Sequence, residues 1–246
     1  MKIRTLFLVF VTVTVVSGAA FALSGEEILQ KLDEVEYGAK DTVAEIRMVL
    51  VSEDGKKSER KLKMIQKGED KRMIRFLAPA DVKGIGFLDA GKDKMYIYMP
   101  AFHKIRRIAG HVKNESFAGT DFSYDDLSSE PFAEKFDVLN KAEEADHYLL
   151  ELKSKAGRDS SYSKIKVWIR TKDFMFDKVE YYGKDGSVHK VFKRSKFKLV
   201  GKYTQSFFAE MSDLKKKHST QMIVESLQCD TGLKDRAFSK RHLKRL

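Results

Sequence analysis

The sequence predicts a mainly β protein in which a long antiparallel meander has few helices to cover it. From residue 41 onward apolar and polar residues alternate with a period of two, as in residues 44–50 (AEIRMVL), which is typical of half-buried strands. Turn sequences such as Asp54-Gly55 and Lys184-Asp185-Gly186 recur between these segments, which indicates consecutive hairpins. One helix precedes the strands, and at most two short ones lie within or after them. These few helices must cover one face of the sheet.

Residues 1–22 have the three parts of a secretory signal peptide. Lys2 and Arg4 give a positive start, an apolar stretch follows, and Ala20-Phe21-Ala22 matches a small-residue cleavage pattern. The apolar stretch is about half of the ~20 residues that span a bilayer, so we expect cleavage between Ala22 and Leu23. The residue directly after the cleavage position is a leucine and not a cysteine. We therefore expect residues 23–246 to form a single domain that is periplasmic, soluble and not lipid-anchored.

The first element after the cleavage position is a predicted amphipathic helix. Ser24 to Glu27 has the S-x-x-E form of a capping box. Ile28, Leu29, Leu32 and Val35 then share one helical face. The helix is expected to run for about three turns and to end near Tyr37-Gly38.

About ten or eleven strands are expected after this helix. They are placed at residues 41–50, 59–66, 72–77 with a continuation after Pro79 through 84–89, 95–99, 135–139, 147–153, 163–170, 175–182, 188–197, 203–211 and 220–227. Gly91-Lys92-Asp93 is a predicted turn, and Gly84 and Gly86 would let a strand bend or admit close contact. Residues 116–127 interrupt the alternation and predict a loop with a short helix, and residues 233–246 are expected to be helical or frayed.

The sequence offers no constellation typical of catalysis or of metal binding. The six histidines are scattered without the spacing of metal ligands, and no segment resembles the nucleophile elbow of serine hydrolases. Asp121, Asp125 and Asp126 lack the spacing and closing glutamate of an EF-hand loop. Cys229 is the only cysteine, and its neighbours supply no base. We predict no catalytic, cofactor or metal site.

The formal net charge of +11 suits an anionic partner. Export argues against nucleic acid and favours anionic lipid headgroups, near which each surface lysine or arginine contributes roughly 1 kcal/mol. Arg106, Arg107 and the Lys215-Lys216-Lys217 turn are candidates for contact with headgroups or a partner. A solvated basic surface without a partner is the alternative.

The methionines suggest a binding surface. Eight of the nine follow the expected cleavage position, and methionine suits adaptable apolar surfaces. Packing of an ordinary core is the alternative for each of them. A large sheet with little helical cover, however, leaves space for a ligand.

Three blocks in the first half of the chain are rich in prolines, glycines and aromatic residues but contain no plausible set of catalytic residues. They are RMIRFLAPADVKGIGFLDA (72–90), MYIYMPAFHKIRRI (95–108) and SFAGTDFSYDDL (116–127). As a set they resemble the periplasmic outer-membrane lipoprotein-sorting proteins, the LolA-like group. The matching residues are Arg75-Phe76-Leu77-Ala78-Pro79, Asp81-Val82-Lys83-Gly84, Gly86-Phe87-Leu88, Tyr98-Met99-Pro100-Ala101, Lys104-Ile105-Arg106-Arg107-Ile108, Ser116-Phe117, Gly119-Thr120-Asp121-Phe122 and Tyr124-Asp125-Asp126-Leu127.

This resemblance implies a half-open antiparallel β-barrel whose concave apolar face is covered by helices and loops. It also implies a carrier that shelters the acyl chains of lipoproteins or lipids and transfers them toward the outer membrane. By alternation, the residues expected to line its cavity are Ile46, Met48, Met64, Phe76, Phe87, Met95, Ile97, Met99, Ile165, Val167, Ile169, Val179, Met222 and Val224. The N-terminal helix and the segment that contains Phe117, Phe122, Tyr124 and Leu127 are expected to form a lid.

The expected partners are an acyl chain, transiently a membrane surface, and an inner-membrane transporter or outer-membrane receptor, with the carrier itself a monomer. Two other functions are open. An interaction module could dock to an inner-membrane transporter without binding free lipid, in which case its own side chains would fill the sheet face. An enzyme acting on envelope lipids is the third candidate, although no nucleophile, base or metal set is visible.

Overall fold

The structure, a computed structural model, describes residues 22–91 and 94–245. The described strands are β1 (Asp41–Val51), β2 (Lys57–Lys67), β3 (Lys71–Ala78), β4 (Gly86–Asp89), β5 (Met95–Met99), β6 (Lys104–Arg107), β7 (Phe136–Glu144), β8 (His147–Ser154), β9 (Lys164–Arg170), β10 (Phe176–Tyr182), β11 (Val188–Val200), β12 (Tyr203–Asp213) and β13 (His218–Cys229). The α-helices are α1 (Gly25–Glu36), α2 (Phe132–Lys135) and α3 (Lys240–Leu243). Most of the predicted signal peptide and two residues of the predicted turn at 91–93 lie outside the described residues.

The described strands form one antiparallel sheet of thirteen, in the order β6-β5-β4-β3-β2-β1-β13-β12-β11-β10-β9-β8-β7. Strands β1–β6 pair in sequence order, and so do β7–β13. The two series are joined where β1 pairs with β13 in the middle of the sheet. The edge strands β6 and β7 do not pair with each other, so the sheet is not closed. The predicted mainly β, half-open architecture is confirmed.

The expected number of strands is too low for two reasons. Residues 72–89 form two strands, β3 and β4, because the chain turns back between them and Gly84 donates its N–H to the carbonyl of Phe76 at 2.9 Å. The prediction also missed β6, a four-residue strand that returns beside β5 after a tight turn in which His103 has a φ of 50°. Its sequence KIRR is too short and too basic to show an alternating pattern.

Helix α1 covers one half of the inner face of the sheet. Its capping box is formed as predicted: Ser24 Oγ accepts the N–H of Glu27 at 3.1 Å, and Glu27 Oε2 accepts the N–H of Ser24 at 2.7 Å. The predicted apolar stripe is buried, with Ile28 and Leu32 fully inaccessible. It packs on Leu150, Leu152, Ile165, Val167, Ile169 and Val179 of β8, β9 and β10.

The loop between β6 and α2, residues 108–131, covers the other half of the inner face. We call it the covering loop. Phe117 lies at its centre, with its ring centroid 5.4 Å from that of Phe76 and 5.9 Å from that of Phe87. Further buried contacts join Ile108, Phe122, Tyr124 and Leu127 to the side chains of β1–β5. The loop is therefore packed into the core by its aromatic side chains.

The C-terminal segment covers part of the opposite, outer face of the sheet. Phe238 and Leu243 are buried in one cluster with Ile65, Met73, Leu88 and Tyr98. The Asp41 carboxylate accepts the N–H groups of Thr231, Gly232 and Leu233 at 2.7, 2.9 and 3.0 Å. Burial acts to raise the pKa of Asp41, but these hydrogen bonds outweigh it and lower the pKa. The segment, predicted as helical or frayed, is thus anchored through Leu243.

Gly86 of β4 allows the closest approach between the sheet and this segment. A Cβ at Gly86 would lie 2.7 Å from Leu243 Cδ1, and Leu243 has no accessible surface into which it could move. We expect Gly86→Ala to lower the free energy of unfolding by about 1–3 kcal/mol through overpacking, as measured by urea denaturation.

The matched background for this prediction is Leu243→Ala, which removes the obstructing atoms. In that background the cost of Gly86→Ala should shrink, because contacting residues show coupled effects on stability. The same cost in both backgrounds would mean that Leu243 is not the obstacle.

Candidate functional site

A cavity of about 280 Å³ lies on the inner face, between the part covered by α1 and the part covered by the covering loop. Strands β1, β2 and β13 supply Ala44, Ile46, Met64, Met222 and Val224 to its lining. Strands β9–β12 supply Ile165, Phe176, Tyr181, Phe192 and Ala209 on the other side. The covering loop, α2 and the start of β7 contribute Phe122, Leu127, Phe132 and Phe136. The interior is therefore predominantly apolar and aromatic, as ligand cavities are.

Ion pairs at one side of the cavity connect the covering loop to α2 and to the loop between β8 and β9. Arg158, in the loop between β8 and β9, donates to both carboxylate oxygens of Glu130 at 2.6 and 2.8 Å. Lys135 Nζ lies 2.9 Å from Asp125 Oδ2. Burial raises the pKa of Asp125, but the charges of Lys135 and Arg158 and the Lys135 hydrogen bond together lower it. All four side chains line the cavity, and the lowered pKa keeps the Asp125 carboxylate ionised at neutral pH.

Arg194 and Glu36 connect β11 to the end of α1 at the cavity wall. Their Nη1 and Oε1 atoms are 2.6 Å apart, and the side chains are only 10% and 19% exposed. The guanidinium of Arg194 also lies 4.2 Å from the ring centroid of Phe176. Breaking such a partly buried pair is unfavourable, because it leaves one charge without its partner away from water. The pair therefore fixes α1 against the sheet.

Tyr162 and Tyr181 place polar groups in this apolar lining. Their ring centroids are 4.9 Å apart, and burial raises the pKa of both phenols. Within the described part of the chain, neither hydroxyl has a hydrogen-bond partner, and no fully buried side-chain polar atom is left unsatisfied. Both side chains line the cavity, and because their pKa is raised, both hydroxyls are neutral hydrogen-bond donors.

The structure places only part of the predicted lining at the cavity. Ile46, Met64, Ile165, Met222 and Val224 line it, as do Phe122 and Leu127 of the predicted lid. The other predicted residues lie elsewhere: Met48, Phe76, Phe87, Met95, Val167, Ile169, Val179, Phe117 and Tyr124 are buried in the packed clusters, Ile97 packs against one of them, and Met99 is half-buried at the end of β5. Alternation identifies the inner face but not which part of it α1 or the covering loop occupies.

Sequence reasoning missed several aromatic residues of the cavity. Tyr181 follows the predicted Val179 by two positions on β10 and so shares its face. Phe132 and Phe136 are four residues apart, a spacing that places two side chains on one side of a helical turn. Phe192 and Arg194 alternate on β11 in the same way as the residues that were predicted. The period-two pattern could have found Tyr181 and Phe192.

The charged candidates lie away from the cavity. Arg106 and Arg107 are on the edge strand β6. Each lysine of the 215–217 turn forms an ion pair: Lys215 with Asp185 at 3.3 Å, Lys216 with Asp213 at 3.5 Å and Lys217 with Glu53 at 2.7 Å.

Neither a metal centre nor a membrane-spanning helix is found in the parts of the chain that the structure describes. Residues 22–91 and 94–245 contain no group of three or more histidine, cysteine, aspartate or glutamate side chains that could hold a metal ion. No helix among them is long and apolar enough to cross a membrane. Burial raises the pKa of the Cys229 thiol, which disfavours the reactive thiolate at neutral pH.

Comparison with known proteins gives the family. A family model with the description "Uncharacterized protein" matches residues 68–245, well over half of the chain. A domain from Vibrio parahaemolyticus assigned as an outer membrane lipoprotein-sorting protein is 29% identical, with a TM-score of 0.81 over 90% of this chain and 98% of that one. The chain belongs to the family that this model describes, and it shares its fold with the LolA-like, outer-membrane lipoprotein-sorting proteins.

Two further solved structures share the fold of this LolA-like chain. A DUF1329 family protein from Desulfovibrio piger is 26% identical, with a TM-score of 0.80 over 89% of this chain and 97% of that one. A LolA superfamily protein from Nitrosomonas europaea is 19% identical, with a TM-score of 0.74 over 90% of this chain and 100% of that one. Among curated proteins, no sequence matches this chain.

Asp33 of α1 holds α2, and with it Phe132, at the cavity. Its carboxylate oxygens accept the N–H groups of Phe132 and Ala133, both at 2.8 Å. Burial dominates over these two hydrogen bonds and raises the pKa of Asp33 to about 6. Folding therefore favours the protonated acid.

This raised pKa predicts a loss of stability with rising pH. The contribution of Asp33 is fully present below the pKa of an unfolded aspartate, about 3.9, and is lost as the pH rises through about 6. Relative to Asp33→Asn, which cannot titrate, the wild type should lose about 1–2 kcal/mol of unfolding free energy between about pH 4 and pH 7. Urea denaturation across this range measures the difference, and parallel pH profiles would refute the assignment.

Proposed function

We propose that this protein is a periplasmic carrier that binds acyl chains of lipoproteins or lipids in the cavity and transfers them toward the outer membrane. The observation that supports it most directly is an apolar cavity between two separate covers of one sheet face. The Vibrio parahaemolyticus domain, similar over nearly its whole length, is named for lipoprotein sorting. A binding protein without catalytic function agrees with an interior of aliphatic and aromatic side chains that is bordered by charged and polar residues.

The energetics favour such a ligand. Burial contributes ~0.8 kcal/mol per methylene, so a long acyl chain exposed to water costs on the order of 10 kcal/mol. The cavity volume of about 280 Å³ lies just below the range of about 300–1,000 Å³ that is usual for ligand pockets. A long chain therefore requires an outward movement of the covering loop or of α1. Movement of the covering loop must break the ion pairs of Arg158 and Lys135, and movement of α1 must break the pair of Arg194 with Glu36.

The polar groups suggest how the ligand is oriented. A diacyl lipid or lipoprotein carries ester carbonyls where its acyl chains join the headgroup. The hydroxyls of Tyr162 and Tyr181 can donate hydrogen bonds to such oxygens while the chains lie against Met222, Val224 and Phe192. In an apolar site, a satisfied hydrogen bond of this kind fixes orientation and supplies specificity.

The cellular setting belongs to the same proposal. We infer that residues 1–22 are removed after Ala22 and that residues 23–246 act as one domain in the periplasm. A carrier there receives its ligand from the inner-membrane side, from a transporter, and delivers it at the outer membrane. A module that only docks to a transporter would have the inner face filled by its own side chains, so the cavity favours the carrier.

Filling part of the cavity should weaken ligand binding without unfolding the protein. Ala209 of β12 lies at the cavity wall beside Arg194 and Met222. We expect Ala209→Phe to weaken binding of a fluorescent fatty acid at least about tenfold, because overpacking a site costs 1–3 kcal/mol. Probe titration of purified protein measures this.

The matched control is Ala142→Phe on the exposed part of edge strand β7, which should bind the probe like the wild type. Mass spectrometry of the purified protein should also detect bound lipid. If the wild type carries no lipid and binds no acyl probe, the carrier function is refuted.

A further inference from the structure

The hairpin formed by β11 and β12 extends beyond the strands on either side of it. Pairing of β11 with β10 ends at Lys193, and pairing of β12 with β13 ends at Phe208. Beyond these points β11 and β12 pair only with each other, up to Val200 opposite Tyr203. We call residues 195–207 the distal hairpin. Lys196, within it, has a φ of 54°, a backbone conformation that is uncommon for any residue except glycine.

The distal hairpin combines an exposed apolar tip with unneutralised positive charge. Leu199 is 73% exposed, more than any other large apolar side chain that the structure describes. Residues 195–207 include Lys196, Lys198 and Lys202 but no acidic residue. These lysines form no ion pair within residues 22–91 and 94–245. Their ammonium groups lie instead 4.8–5.5 Å from the ring centroids of Phe208, Phe207 and Tyr203.

The turn between β12 and β13, at the other end of the same strand, provides a comparison. It contains an exposed leucine, Leu214 at 50%, next to Lys215, Lys216 and Lys217. Each of these three lysines pairs with a carboxylate. Two ends of one strand therefore have nearly the same composition, but only the distal hairpin carries charge that no carboxylate neutralises.

We propose that the distal hairpin is the surface by which this protein contacts an anionic phospholipid bilayer. Leu199 would enter the boundary between headgroups and acyl chains, while the lysines extend along the apolar surface and hold their ammonium groups at the phosphates. Protein interfaces are depleted in lysine, so this tip fits headgroups better than a protein partner. Lysines also protect free strand edges from pairing, but edge protection does not require an exposed leucine at the tip.

The position of the hairpin connects bilayer contact to the cavity. Gln205 and Ser206 belong to the distal hairpin and line the cavity, as does Arg194 at its base. The guanidinium of Arg170 lies 3.8 Å from the ring centroid of Phe197, which holds the hairpin in a fixed direction. Contact with a bilayer requires no bound ligand, so the membrane-contact surface does not depend on the proposed function. Only its purpose, the delivery of an acyl chain, rests on that function.

The test is co-sedimentation of the purified chain with vesicles of phosphatidylcholine alone or mixed with phosphatidylglycerol. We expect the wild type to bind only the mixed vesicles and to bind less as salt is added. Replacing Lys196, Lys198 and Lys202 together by glutamine should weaken binding on the order of 100-fold, because each lysine contributes about fivefold at an anionic surface. Leu199→Ser should weaken it about tenfold.

The matched controls are the triple Lys→Gln replacement at Lys215, Lys216 and Lys217 and the single variant Leu214→Ser. Both should bind vesicles within about twofold of the wild type, since a lysine paired with a carboxylate is attracted less to an anionic bilayer. The proposal is overturned if the wild type ignores anionic vesicles, if both triple variants lose binding equally, or if binding needs inner-membrane vesicles with their proteins.

Acyl-probe binding by the distal-hairpin variants separates this inference from the proposed function. These variants should bind the fatty-acid probe and unfold in urea like the wild type, because none of the replaced side chains lines the cavity. If the wild type binds vesicles but not the probe, the carrier function is refuted and the membrane-contact surface is supported. If it binds the probe but not vesicles, the membrane-contact surface is refuted and the carrier function is supported.

Discussion

The constraint on which the structure depends is an open sheet whose inner face is larger than its helices can cover. An apolar face must pack against another element, but the first helix reaches only the half of the sheet formed by β7–β11. The covering loop packs its aromatic residues on β1–β5. The space that remains between these two covers is the cavity, so the site results from incomplete cover and not from a dedicated set of polar residues.

Buried carboxylates hold the irregular segments on the sheet. Asp33 binds the backbone of α2, Asp41 binds the C-terminal segment, and Asp89 accepts the N–H and hydroxyl of Ser129 at 2.9 and 3.0 Å. Asp121 Oδ2 lies 2.7 Å from the hydroxyl of Thr220 on β13. Loops carry N–H groups that no ladder satisfies, and charge-assisted hydrogen bonds to them are strong. The covers are therefore fixed as much by these acids as by apolar contact.

The sequence predicts local features of the fold well and their mutual placement poorly. The capping box at Ser24 and the alternation along β9 depend on neighbouring residues, so both are visible in the sequence. Whether Ile165 faces the cavity while Val167 lies under α1 depends on where a distant helix ends. The ion pairs of Lys215 with Asp185 and of Lys217 with Glu53 join separate turns and are equally invisible. For this reason the sequence indicated that turn as a source of free positive charge.

The pairing of β1 with β13 joins residues that are far apart in the chain, such as Thr42 and Cys229. Both strands supply side chains that line the cavity. The cavity is therefore incomplete until the last strand has formed. Contacts of such long sequence separation slow folding. A chain that folds from its N-terminus would thus hold two separate meanders until its last strand has formed, and only then would the cavity exist.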